Sequence, residues 1–138
     1  MNSPSSDHRV LLVEDEMLVA WLLEDMLADL GYAIVGPASS VNQALAMIDA
    51  EAIDAAVLDV NLNGQMSYPI ADVLAARSVP FVFSTGYDKD TLLDGYRIFP
   101  VLQKPFHRSQ LSVVLAKMLT PKEPSVESMI AAIAETSP

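Results

Sequence analysis

The sequence predicts an α/β fold, a five-stranded parallel sheet with helices on both faces. Two observations predict it. Short continuous apolar runs alternate with longer stretches whose apolar residues recur at three- and four-residue spacing, the strand and helix signals in turn. The connections are short, and a βα unit repeated five times demands parallel strands with right-handed crossovers.

Residues 1–8 read as a loose polar tail. Arg9–Glu14 is the first strand, apolar throughout its middle as expected of a strand covered on both faces. Glu16–Leu30 reads as a helix carrying Leu18, Leu22, Leu23, Met26, Leu27 and Leu30 on its apolar face, with Gly31 as its stop. Ala33–Val35 is a second strand ending at Gly36-Pro37. Ser39-Ser40 offers an N-cap to a helix from Val41 to about Ala52, with Leu45 and Ile48 inward.

Asp54–Leu58 is the third strand, and Asn61-Leu-Asn-Gly64 has the chemistry of a turn. A third helix spans Tyr68–Arg77, with Pro69 acceptable in its first turn. Pro80–Ser84 is the fourth strand, and Thr85–Tyr96 reads as a long loop or a weak fourth helix. Residues 98–102 make the fifth strand and His107–Leu119 the fifth helix, using Leu111, Val114, Leu115 and Met118. The domain is thus expected over residues 9–119. Residues 120–138 form a C-terminal tail with a linker-like start and a short amphipathic stripe of Val126, Met129, Ile130 and Ile133. That stripe reads equally as a frayed end or a short docking helix.

Composition narrows the function. With 138 residues and 51% of them hydrophobic, the chain has material for one real core. It holds no apolar stretch long enough for a membrane span and no apolar segment of a signal peptide, so a cytoplasmic protein is expected. Cysteine is absent, which excludes disulfides and thiolate metal sites. The net charge is −10, and the eight Lys and Arg residues are scattered singly, so neither nucleic acid nor a membrane surface is an expected partner.

Four apolar runs each stop at residues able to do chemistry: Glu14-Asp15, Asp59, Ser84-Thr85 and Gln103-Lys104-Pro105. In a parallel sheet these ends meet at the carboxyl edge, where open α/β sheets place their ligands. Each residue has a plain structural role on its own. Glu14 and Asp15 precede a helix and suit its dipole, Asp59 can open an Asx-turn, and Thr85 before Gly86 can be a turn residue. Together they argue differently. Two carboxylates at ~4 Å repel by roughly 4 kcal/mol at an effective dielectric of 20, so such a cluster is kept where something positive sits in it. Oxygen donors without a nearby histidine suit Mg²⁺, and His8 and His107 fall in the tail and at a helix start. Lys104, near a helix start where a cation is unfavourable, can pair with Asp59 or with a phosphoryl oxygen on it.

Val10-Leu-Leu-Val-Glu-Asp-Glu16, Leu58-Asp-Val-Asn-Leu-Asn-Gly64, Phe83-Ser-Thr-Gly86 and Lys104-Pro-Phe106 resemble, in order and spacing, the motifs of response-regulator receiver domains of two-component signalling. The resemblance covers about residues 9–119. It implies a flavodoxin-like fold with sheet order 2-1-3-4-5. It assigns Asp59 as the phosphoacceptor, Asp15 as a direct Mg²⁺ ligand, Glu14 as a ligand mainly through water, and Asn61 as a ligand through its backbone carbonyl. Thr85 and Lys104 would engage the phosphoryl oxygens, and Lys104-Pro105 would be a cis peptide. The implied partners are a sensor histidine kinase or a histidine phosphotransfer protein and a downstream protein target. A monomer or weak homodimer is expected, with residues 88–119 as the docking or dimer face.

One departure stands out. Many receivers carry an aromatic switch residue three before the Lys, and this chain has Val101 there. Pro80-Phe-Val-Phe-Ser-Thr-Gly-Tyr87 is instead similar to the FATGUY subgroup of receivers, often stand-alone proteins. Tyr87 and Phe83 then become candidates for part of the switching role beside Thr85; the plain alternative makes Phe83 core and Tyr87 surface. The leading expectation is a single-domain signalling module that is not an enzyme, with no output domain after Leu119. The alternatives are a Mg²⁺-dependent aspartyl phosphohydrolase and a degenerate receiver that binds partners without phosphorylation. The hydrolase would place a second acid two residues after the nucleophile, where this chain has Asn61.

Overall fold

In the computed structural model, which describes residues 8–87 and 91–119, the chain folds around one twisted parallel sheet. The strands are β1 (Arg9–Val13), β2 (Ala33–Ala38), β3 (Ala55–Asp59), β6 (Phe81–Thr85) and β7 (Val101–Gln103). A small antiparallel hairpin, β4 (Asn61–Leu62) with β5 (Gln65–Met66), lies outside that sheet. The helices are α1 (Met17–Asp29), α2 (Val41–Ala50), α3 (Tyr68–Ala76) and α4 (Arg108–Leu119). The order β2-β1-β3-β6-β7 becomes 2-1-3-4-5 once the hairpin strands are set aside, the flavodoxin-like arrangement. All four pairings are parallel, as the βα alternation requires.

Alternating side chains divide the core in two. Leu11, Val13, Ala56, Leu58, Phe81 and Phe83 pack on one face beneath α2 and α3. Val10, Leu12, Val57, Val82 and Leu102 pack on the other against Leu23 and Leu27 of α1 and Leu111 and Leu115 of α4. Ser40 caps α2 by accepting the Gln43 N–H at 3.1 Å. Arg9–Glu51, Arg77–Asp49 and Arg108–Asp29 pair across elements at the surface.

The structure corrects two expectations, the inward face of the first helix and the start of the last strand, and sharpens two others. The inward face of α1 is Ala20, Leu23 and Leu27, whereas Leu18 is 76% and Leu22 56% exposed. Asp25 and Asp29 share the helical phase of Leu18 and Leu22 and mark the exposed stripe, which the leucine spacing alone does not reveal. The last strand starts at Val101 instead of residue 98. Ile98 is 81% exposed, and Phe99 turns inward to stack on Phe81 at 4.5 Å, so pairing begins only after Pro100. The Asn61–Gly64 turn carries a hairpin, formed by left-handed Asn63 (φ 54°) and Gly64 (φ 89°). Among the described residues of 91–100 there are turns and no α-helix; residues 88–90 of the expected loop or weak helix lie outside the description. The tail through residue 7 and the stripe at Val126, Met129, Ile130 and Ile133 also lie outside it.

Candidate functional site

Three strand ends and one loop build a cleft at the carboxyl edge of the sheet. β1 delivers Glu14 and Asp15 just before α1 begins. β3, the central strand, ends on Asp59, and β6 ends on Thr85. Lys104 follows β7, anchored by its N–H donating to the Thr85 carbonyl at 2.7 Å. The cleft, about 910 Å³, is lined by Asp15, Glu16, Asp59, Asn61, Met66, Tyr68, Thr85, Tyr87 and Lys104 among others.

The charges meet. Carboxylate oxygens of Glu14, Asp15 and Asp59 lie within 4.8 Å of one another. Glu14 is almost fully buried, and its Oε1 accepts from the Lys104 ammonium at 2.7 Å. The same ammonium stands 3.6 Å from Asp59 Oδ2. The expected pairing of Lys104 with Asp59 is present, but its closer bond is to Glu14, ninety residues away, which no local pattern foretells. Glu14 Oε2 also accepts the Glu16 N–H at 3.1 Å, so Glu14 is fixed at both oxygens.

These neighbours set the protonation of Asp59. Burial, the Glu14 hydrogen bond and the Glu14 and Asp15 charges raise its pKa to about 7, against the opposing pull of Lys104. For Lys104, burial works against the ammonium, but the bond to Glu14 and the charges of Asp59, Glu14 and Glu16 outweigh it, and its pKa rises. One ammonium against three carboxylates leaves the cluster short of positive charge. That deficit, with oxygen donors only, fits a hard divalent cation such as Mg²⁺.

Other candidates fall as follows. The Asn61 side chain is spent on its turn, accepting the Gly64 N–H at 2.6 Å, which leaves its backbone carbonyl for any ligand. Thr85 is buried, and its Oγ1 accepts the Tyr87 N–H at 3.1 Å. Tyr87 itself is exposed, and Phe83 is wholly core. Val101 is partly buried against the core on the α2 and α3 side. The Lys104–Pro105 peptide is cis, and so is Gly36–Pro37, which the sequence reading did not single out. Tyr68, which reads in the sequence only as a helix start, lines the cleft, and its hydroxyl accepts the Leu93 N–H at 3.2 Å. Its position immediately before Pro69 at a helix start was the available signal.

Residues 10–116 match the family model described as the response regulator receiver domain. The solution structure of SdrG from Sphingomonas melonis is similar at 46% identity with a TM-score of 0.74, covering 84% of this chain and 99% of that one. Among curated proteins, the transcriptional regulatory protein PdtaR of Mycobacterium tuberculosis is 30% identical over 80% of this chain and 59% of its own length. The phyllosphere-induced regulator PhyR of Methylorubrum extorquens is 30% identical over 80% of this chain and 43% of its own length. The chain thus spans about half the length of these curated relatives.

Proposed function

The chain belongs to the response regulator receiver family, and on that premise we propose that it takes a phosphoryl group onto Asp59 and signals by binding other proteins. The observation that carries this reading is the meeting of Glu14, Asp15, Asp59 and Lys104 within one cleft. An Asp59 oxygen attacks phosphorus as the bond to the donor breaks, and the bonding pair leaves with the donor's imidazole or carboxylate. Mg²⁺, held by Asp15, Asp59, the Asn61 carbonyl and Glu14, would supply the positive charge that such a transfer needs. Lys104 neutralises a phosphoryl oxygen from its place beside Asp59. Thr85 accepts the Tyr87 N–H and so keeps its own proton to donate to another oxygen.

The donor is a phosphohistidine of a sensor kinase or phosphotransfer protein. Its docking surface is α1, where Met17, Leu18, Trp21 and Leu22 expose apolar surface directly after the cleft residue Glu16. Output passes to a downstream protein, with Thr85 and Tyr87 carrying the change in place of the aromatic missing at Val101, as in the FATGUY subgroup. The hydrolase reading is weaker, since Asn61 holds the place of its second acid and its side chain is committed to Gly64.

Incubation with Mg²⁺ and acetyl phosphate tests this. The receiver reading expects one hydroxylamine-sensitive phosphate per chain, lost in Asp59→Asn, with no turnover of phosphomonoesters. Steady phosphomonoester hydrolysis would establish the enzyme instead, and no labelling at all would leave a degenerate binding module.

A further inference from the structure

Strand β6 ends on two hydroxyls that face opposite sides of the sheet. Thr85 lines the cleft. Ser84 does not: it is 1% exposed, and among the described residues its Oγ has no hydrogen-bond partner. A buried hydroxyl left unpaired is costly, so one at the edge of a charged cluster asks for a reason.

Register gives its position. Ser84 lies opposite Asp59 on β3 and opposite Leu102 on β7. Val57, Val82 and Leu102 all belong to the core beneath α1 and α4, and side chains two apart in a strand share a face. Asp59 and Ser84 therefore stand on that face. The alternation extends one residue past β1 and β7, because Glu14 N–H still bonds Ala38 and Lys104 N–H still bonds Thr85. Glu14, two beyond Leu12, and Lys104, two beyond Leu102, join the same face. Glu14, Asp59 and Ser84 thus form a row across neighbouring strands, spaced ~4.8 Å apart. Lys104 starts on the far side of that row, yet its ammonium reaches Glu14 and Asp59. Lys104 falls level with Gly86, so its side chain reaches back across the end of β6, where Ser84 is the last strand residue on that face.

We propose that Ser84 is a positioning residue for Lys104, its hydroxyl accepting an ammonium N–H when Lys104 turns from Glu14 toward a phosphoryl group on Asp59. The proposal rests on Asp59 being the phosphoacceptor. An ammonium has three N–H groups, and Glu14 holds one closely. A neutral acceptor under the lysine steadies the ammonium without competing in charge with the phosphoryl oxygens. Ser84 lies outside the cleft lining, so it acts only through Lys104.

The test compares Ser84→Ala and Ser84→Cys with the unsubstituted chain and with Asp59→Asn. Three quantities are measured: the initial rate of phosphorylation by acetyl phosphate at saturating Mg²⁺, Mg²⁺ affinity by calorimetry, and Tm. Both Ser84 variants are expected to lose about tenfold in rate, the equivalent of one hydrogen bond to a charged group. Mg²⁺ affinity should be unchanged and Tm no lower, since a burdensome unpaired hydroxyl has been removed. Wild-type rates in both variants would overturn the proposal. So would a rate loss matched by losses in Mg²⁺ affinity or Tm, which would mark a distorted cleft. Labelling that survives in Asp59→Asn would remove the premise itself, a result separate from either.

Discussion

Lys104 donates to Glu14 at 2.7 Å from the far side of the sheet, and this bond ties the last strand to the first. It is also the cluster's source of positive charge in the absence of a cation. Lys104→Met keeps the stem but leaves Glu14, Asp15 and Asp59 facing one another. The expected loss is about 2–3 kcal/mol of unfolding free energy, somewhat under the cost of breaking a fully buried pair because Lys104 is partly exposed. Millimolar Mg²⁺ should recover part of it, as denaturant titrations with and without the cation would show.

Asp59 gives the chain a pH dependence of opposite sign to that of an ordinary paired carboxylate. Its folded-state pKa is about 7 against a reference of 3.8, so the folded chain holds this proton more tightly than the unfolded one. Its stabilising contribution is complete below about pH 4 and is lost as pH rises toward 7. In chelator, stability should fall over that window. Asp59→Asn should flatten the fall and be the more stable protein at pH 8, by about 1–2 kcal/mol after allowance for solvent screening. Urea midpoints at pH 5 and pH 8 check both statements.

The exposed face of α1 separates docking from folding. Leu18→Glu and Trp21→Glu change side chains that the core does not use. Stability should move by no more than about 0.5 kcal/mol. Phosphotransfer from a cognate histidine kinase should drop at least tenfold, while labelling by acetyl phosphate stays at the wild-type rate. Equal transfer from the kinase would place the docking surface elsewhere.

Gly36 is a backbone requirement where β2 runs against β1. At φ +101°, a Cβ there would meet Ala38 N at 2.8 Å and the Leu12 carbonyl at 2.9 Å, both rigid backbone. Gly36→Ala should cost more than about 2 kcal/mol, because strain and clash add. Gly86 has open space around it and no positive φ, so Gly86→Ala should be nearly neutral to Tm.

Much of this fold was legible because its strands are short, buried on both faces and separated by helical spacing. The central strands carry that signal without ambiguity: Val10–Val13 and Ala55–Leu58 are apolar throughout and pair in the middle of the sheet. The legible part of the site was the set of strand ends, since parallel topology alone carries Glu14, Asp59, Thr85 and Lys104 to one edge. What the sequence hid depends on packing. Leu18 and Leu22 follow the same spacing as Leu23 and Leu27, so leucine spacing alone does not choose the covered pair, although Asp25 and Asp29 share the exposed phase. Ile98 and Phe99 look like strand residues, yet Phe99 stacks on Phe81 and the ladder waits for Val101. The partner of Lys104 is likewise a matter of distance in space, which no local pattern encodes.

The central claim is that Asp59 itself receives the phosphoryl group. Its most direct test is borohydride reduction after phosphorylation with acetyl phosphate and Mg²⁺, followed by peptide mass mapping. An aspartyl phosphate is reduced to homoserine, so the account predicts homoserine at position 59 and at no other acidic residue. Homoserine in place of Asp15, or the corresponding reduced side chain in place of Glu14, with Asp59 untouched, would contradict it.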